Sequence, residues 1–378
     1  MKKVVYILLF ISSQIFSQKA IPTDTLIQNG ISLIYKLDFE SAERHFRNII
    51  ADYPDYPGGK FFLAMCDWWK ILINLDNTDK DEIFFDKLED IIFQCDEILK
   101  QNPNNEIALF FKAGAIGYRG RLRALRDSWL KAADDALSAY PLIEKLYQLN
   151  PKNIDVLLGF GIYNYYLSVV PDKFPIIKPF LSLFPKGDKN LGLEQLINVA
   201  NNGKFSRYEA MYFLMTSFLN YEQLPYKAFE YSRILYETFP ENVVFQRYYA
   251  KLSYITWNID NAIDVYEKLI NIINADKIKL SFSVKREIFY YAAVSNKIQR
   301  DYLKAEIYFN KSIEMSNKLS DKNSGFLALS KLYLANIYDI MKRRQEAIAL
   351  YKEVLKIPDY KDSHSYAQTY LNNPYNGE

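Results

Sequence analysis

One spacing recurs along this 378-residue chain and constrains most of what it can fold into. A small residue is followed twelve positions later by an alanine, and an aromatic stands four beyond that. The set reads Gly30, Ala42, Phe46; Ala250, Ala262, Tyr266; Ala293, Ala305, Phe309; and Ala335, Ala347, Tyr351. Two antiparallel helices approach closely only where side chains are small, so a hairpin needs a small residue on each helix at the crossing. Twelve positions cover the rest of the first helix, a tight turn and the start of the second. The aromatic lies on the same face one turn further on, and is predicted to pack toward the next hairpin. Pro54 and Pro240 close two of the second helices, each twelve residues after an alanine (Ala42, Ala228).

The spacing predicts an all-α, right-handed superhelical solenoid of about eight antiparallel hairpins, near 23–53, 57–101, 104–149, 153–201, 205–239, 242–274, 280–318 and 322–357. A short helix near 362–371 caps the open end. Gly and Pro are sparse, 13 and 14, which favours long helices over short strands. Apolar residues at 49% suffice for one continuous core. No Ser/Gly-rich linker divides the chain, so residues 18–378 read as one solenoid. These units resemble the tetratricopeptide repeat, a 34-residue helix–turn–helix module. Ala228 to Ala262 keeps that period, while Ala262, Ala305 and Ala347 are spaced more widely. Gln246 and Lys331 stand where the first helix usually carries a large aromatic, so the repeats are degenerate.

Residues 1–17 read as a secretory signal. Lys2 and Lys3 form a basic end, the run from Val4 to Ile11 is apolar but too short to span a bilayer, and Ser17 offers a small residue for cleavage before Gln18. The mature chain is expected to be periplasmic or extracellular, with no integral membrane span; an uncleaved anchor is the alternative. The formal charge of +2 falls to zero without the two leader lysines, which argues against a nucleic-acid backbone as partner.

Catalytic signals are sparse. His45 and His364 are each alone in their segments, and there is no glycine-rich phosphate loop or nucleophile elbow, so no catalytic residue, metal or cofactor is expected. In YRGRLRALR, Arg119, Arg123 and Arg126 share one helical face. They form an anion-binding site or pair with nearby carboxylates such as Asp127, Asp134, Asp135 and Glu144. Cys66 and Cys95 flank the break NLDNTDKD, with their midpoint at its end beside Lys80 and Asp81, so they either meet as a disulfide or lie as two buried thiols.

The stretch 169–190 carries Pro171, Pro175, Pro179 and Pro185 among residues as apolar as Phe174, Phe180 and Phe184. Four prolines forbid a long regular helix, and so apolar a segment must bury itself on the solenoid or on a partner. The flanking sequences LGFGIYNYYLSVVP and PFLSLFPKGDKNLGLEQL resemble the signature of the tetratricopeptide repeat protein 39 and inclusion-body-clearance family. Gly159, Gly161, Ser168, Pro171, Gly187, Asp188, Gly192 and Leu193 carry the match. That resemblance implies a protein-interaction role without catalysis.

The reading is a non-catalytic scaffold that binds a protein or peptide on its concave surface. First helices line that surface in stacked hairpins, which points to Phe213, Ser217, Asn220, Arg247, Lys251, Tyr254, Tyr290 and Lys297 as contact residues, with Phe174, Phe180 and Phe184 from the insert. A mixture of Tyr, Arg and Lys suits aromatic and acidic groups. The alternative is an envelope glycan or small ligand stacked on tyrosines and on Trp68 or Trp69.

Overall fold

The computed structural model describes residues 21–173, 185–276, 278–319 and 325–377. Among these there are seventeen α-helices and no strand, paired in eight hairpins. They are α1 (Asp24–Tyr35) with α2 (Phe39–Asp52), α3 (Pro57–Ile73) with α4 (Asp81–Gln101), and α5 (Glu106–Leu125) with α6 (Trp129–Leu149). A short 3-10 turn, Ile154–Val156, leads into α7 (Leu157–Lys173), which pairs with α8 (Lys189–Asn202). Then come α9 (Arg207–Asn220) with α10 (Pro225–Thr238), α11 (Val243–Ile255) with α12 (Ile259–Asn274), and α13 (Phe282–Ile298) with α14 (Tyr302–Asn317). The last hairpin is α15 (Gly325–Ile340) with α16 (Arg344–Val354), capped by α17 (Ser363–Asn372).

The small residues sit at the helix crossings. At Gly30 a methyl group would strike the Phe46 ring, and Ala42, Ala250, Ala262, Ala293, Ala305, Ala335 and Ala347 are all fully buried. The aromatics reach the next hairpin. Phe46 stacks on Phe62 at 5.3 Å, Tyr266 on Tyr291 at 6.4 Å, Phe309 meets Tyr333 at 6.1 Å, and Tyr351 meets Tyr370 of the cap at 5.8 Å. Each such ring, fully removed from water, contributes about 1.5–3 kcal/mol to the stack.

The hairpin turns share a backbone device. Leu37, Asp127, Gln223, Trp257, Arg300 and Lys342 have φ between 53° and 63°, and each lies five residues before the alanine of its second helix. In all six, the next amide donates back across the turn, five to the carbonyl five positions earlier, as Asp38 does to Leu33 (3.1 Å) and Asn258 to Ser253 (2.8 Å), and Leu224 to Phe218 (2.9 Å). This is the αL helix terminator in which glycine is the usual residue. Here side-chain-bearing residues take the left-handed conformation.

The same logic explains the segment around α7 and α8. A Cβ on Gly192 would lie 2.5 Å from the Tyr165 amide nitrogen, and one on Gly161 3.1 Å from the Gly192 carbonyl, so the two backbones touch. Asp188 caps α8, accepting from the Asn190 and Leu191 amides at 2.9 and 3.0 Å.

One turn of the superhelix closes on itself. The Asn242 side-chain amide donates to the Tyr35 carbonyl at 2.8 Å, and the Tyr35 ring stacks on Phe239 and meets Trp69 edge-on, both at 5.2 Å. Trp69 in turn meets Phe245 at 5.4 Å. Asp24 pairs with Lys204 at 2.5 Å, and Asp76 accepts from the Ser283 hydroxyl at 2.8 Å. The first two hairpins therefore dock on the fifth to seventh, and the concave surface expected to be an open groove is, over this half, the wall of an interior. The leader and residues 174–184 lie outside the described residues.

Candidate functional site

The closed turn surrounds a cavity of about 600 Å³, lined by α1, α3, α5, α6, α7 and α9. Its lining mixes small residues, Ala113, Gly114 and Gly117 on α5 and Ala132, Ala133 and Ala136 on α6, with aromatic ones such as Phe62, Trp69, Tyr166 and Tyr212. Its charged lining residues are Asp135, Asp155 and the pair Arg121 with Glu209, whose side chains are 20% and 6% exposed. The guanidinium lies over Phe213 at 4.4 Å and Trp68 at 4.7 Å, and the Tyr35 hydroxyl donates to Glu209 at 3.4 Å. Burial would weaken the Arg121 cation, but the Glu209 carboxylate more than compensates and holds its pKa above the usual value. A buried cation over aromatic faces and against a carboxylate is satisfied, so this centre is structural.

A second, more open surface follows along the first helices of the C-terminal half. Glu287 on α13 accepts from Lys251 at 2.9 Å and pairs with Arg247 at 3.6 Å, both from α11. Burial tends to raise the Glu287 pKa, yet the two cations outweigh it and hold the carboxyl below its usual value. Tyr254 packs on Tyr291 at 5.3 Å, and Tyr290 is buried against Phe326 at 5.1 Å. Lys297 projects between two rings, 5.4 Å from the centroid of Tyr333 and 5.3 Å from that of Tyr375.

The expected contact residues are thus divided. Tyr254 and Lys297 are partly exposed and neighbour one another's tyrosines; Asn220 is exposed at the end of α9. Phe213, Ser217 and Tyr290 are buried, and Arg247 and Lys251 are committed to Glu287, because the neighbouring first helices pack directly over them. Phe174, Phe180 and Phe184 lie outside the described residues.

The arginine face pairs internally, the second of its two expected readings, and not as an anion site. Arg119 bonds Asp135 through Nε (2.9 Å) and Nη2 (2.6 Å) and Glu89 at 2.5 Å. Arg123 bonds Asp135 at 2.7 Å, and Arg126 bonds Asp81 at 2.6 Å and the Leu75 carbonyl at 2.6 Å. These guanidiniums tie α5 to α4 and α6, and none is held open for an anion. Cys66 and Cys95 are free, fully buried thiols, which corrects the expected bridge: Cys66 lies seven residues before the end of α3 at Ile73 and Cys95 fourteen beyond the start of α4 at Asp81, so the two stand at different heights. Burial pushes both thiols up to about 12, far from a reactive thiolate at neutral pH. Trp68 and Trp69 are also buried, and Trp69 lines the interior cavity. His45 bonds the Leu26 carbonyl and His364 the Ile357 carbonyl, both as packing contacts.

Arg121, Glu209, Glu287, Tyr333 and Tyr375 were not anticipated. Arg121 carried a signal: it lies two residues from Arg119 and Arg123, hence on the opposite side of α5, facing the interior.

Stacked hairpins with small-residue crossings and αL turns define a tetratricopeptide-type solenoid, a class whose members generally hold other proteins. Residues 155–354 match the Iml2/Tetratricopeptide repeat protein 39 family, and the chain belongs to it. No curated protein matches it. Among solved structures it is similar to a chain of the APC/C hetero-tetramer Cut9–Hcn1, at 13% identity and a TM-score of 0.47, over 92% of this chain and 63% of that one. It thus spans less than two thirds of that relative's length. The C-terminal part of a TPR repeat-containing protein from Cytophaga hutchinsonii is similar at 16% identity and a TM-score of 0.26, over 90% of this chain and 98% of that one.

Proposed function

We propose that this protein is an exported, non-catalytic scaffold that holds a protein or peptide segment along the first helices of its C-terminal half. The observation that carries the reading is the row of half-buried tyrosines, Tyr254, Tyr291 and Tyr333, contributed by α11, α13 and α15 in succession. Tyrosine offers a flat apolar face and a polar tip at low conformational cost, which suits binding of an extended chain. The closed half of the superhelix anchors α11, the first helix of this row, through Asn242 and Phe245. Export rests on the leader-like residues 1–17, and the mature chain then begins near Gln18.

The test is affinity capture from envelope extract with residues 18–378, run beside a Tyr254→Ala/Tyr333→Ala variant of unchanged melting temperature. Capture of a defined protein by the parent and its loss in the variant supports the reading. Equal capture by both moves the interface elsewhere. N-terminal sequencing that starts at Met1 on a soluble cytoplasmic pool would reject export.

A further inference from the structure

The inner row of first helices carries several cations, and their partners follow one rule. Arg121 has Glu209, Arg247 and Lys251 share Glu287, and Lys331 on α15 pairs with Glu353 at 2.6 Å. Lys297 departs from it. Among the described residues no carboxylate lies within ion-pair reach of its ammonium, and its near neighbours are the faces of Tyr333 and Tyr375. It is also drawn out of water, and that desolvation lowers its pKa with no opposing charge to restore it. A cation held between two rings is attracted to both, yet it keeps donors that neither ring satisfies.

We propose that Lys297, framed by Tyr333 and Tyr375, is a docking point for the side-chain carboxylate of an aspartate or glutamate in an acidic segment of the bound peptide. This rests on the scaffold reading and names the chemistry of the same surface. Charge complementarity selects the occupant, because an incoming carboxylate supplies the counter-charge that Arg121, Arg247, Lys251 and Lys331 draw from within the chain. A chain-terminal carboxylate is a poorer match. It is held best by several convergent donors, whereas the neighbouring Asn296 is buried with its amide turned to the Ala292 carbonyl at 2.8 Å.

The test uses the full mature chain with its lysines reductively methylated with carbon-13, which keeps their charge. The Lys297 signal is assigned by its disappearance in Lys297→Arg. Three probes are titrated: N-acetylglutamate N-methylamide, its neutral glutamine counterpart, and N-acetylglycine, which has only a terminal carboxylate. A saturable shift of the Lys297 signal with the glutamate probe, absent with the glutamine probe and weaker with N-acetylglycine, supports the proposal. Equal shifts of all lysines, or none at Lys297, overturn it, and a stronger response to N-acetylglycine overturns the side-chain assignment. Failure here with capture still lost in the Tyr254→Ala/Tyr333→Ala variant leaves the scaffold standing and removes only the acidic dock.

Discussion

Asn242 holds Tyr35 from 207 positions away, donating its side-chain amide to the Tyr35 carbonyl while its side-chain oxygen accepts from the Val244 and Phe245 amides. One side chain thus caps α11 and fastens the first hairpin to the sixth. Asn242→Asp retains the cap but turns an acceptor toward a buried carbonyl. It should cost about 1–3 kcal/mol, the penalty for an unsatisfied buried group. Asn242→Ala loses the cap as well, about 1 kcal/mol more. Urea unfolding of both variants checks this; an aspartate variant as stable as the parent means that the contact contributes nothing.

Glu287 balances two cations, so Glu287→Gln should destabilise the chain by about 3–5 kcal/mol by leaving Arg247 and Lys251 buried without a counter-charge. Replacing both cations with glutamate should likewise lower the melting temperature, since three carboxylates would then meet. The pH dependence has a definite sign. The folded pKa of Glu287 is depressed, so its contribution is fully present above the unfolded value of about 4.3 and is lost as pH falls through the folded value. Acid titration of the melting temperature should show a smaller decline in Glu287→Gln than in the parent.

Arg300 is exposed and takes a left-handed φ of 62°. Arg300→Gly removes a conformational cost of about 1–2 kcal/mol and adds about 0.5–1 kcal/mol of chain entropy to the unfolded state. Stabilisation of about 0.5–1 kcal/mol is expected by urea denaturation. Destabilisation would mean that the turn is not strained.

Two free thiols per chain are expected on titration with a disulfide-exchange reagent under denaturing, non-reducing conditions. In the native state at pH 8 both should react slowly, because the thiols are buried and their pKa values are pushed up to about 12. Recovery of no free thiol after denaturation would establish a bridge between Cys66 and Cys95.

The hairpins were readable because their determinants are local. Gly30, Ala42 and Phe46 act within one hairpin and its neighbour, and a 3.6-residue period carries that information. The helix ends fall within a few residues of the expected breaks for the same reason. What was not readable depends on pairings across the superhelix. Nothing near Tyr35 in sequence announces Phe239 or Asn242, so the closed turn, and with it the burial of Phe213 and Ser217, stayed hidden. The Arg119, Arg123 and Arg126 face was placed correctly on α5, but only the packing of α4 and α6 decides between a free anion site and internal pairing. Of the surface now proposed, Tyr254 and Lys297 came from position on the first helix, whereas Tyr375 arrives from beyond the cap.

The contact between the first and sixth hairpins also changes how this molecule can come apart. A linear stack interacts only between neighbours, so it frays from either end and its stability is close to a sum over repeats. Joining hairpins one and two to hairpins five to seven removes one of those ends. The buried residues divide nearly so: one cluster runs from Ile27 to Ala292 and includes Met315, a small one joins Leu109, Leu146 and Val156, and another gathers Tyr290, Phe309, Leu332, Tyr351 and Ala367. Amide exchange should therefore find the first six hairpins opening together, as a loop does when its clasp gives way, and α15 to α17 opening alone at lower free energy. The tyrosine row spans the seam between these two units, so an occupant gripping Tyr254 and Tyr333 together would slow the opening of the weaker one.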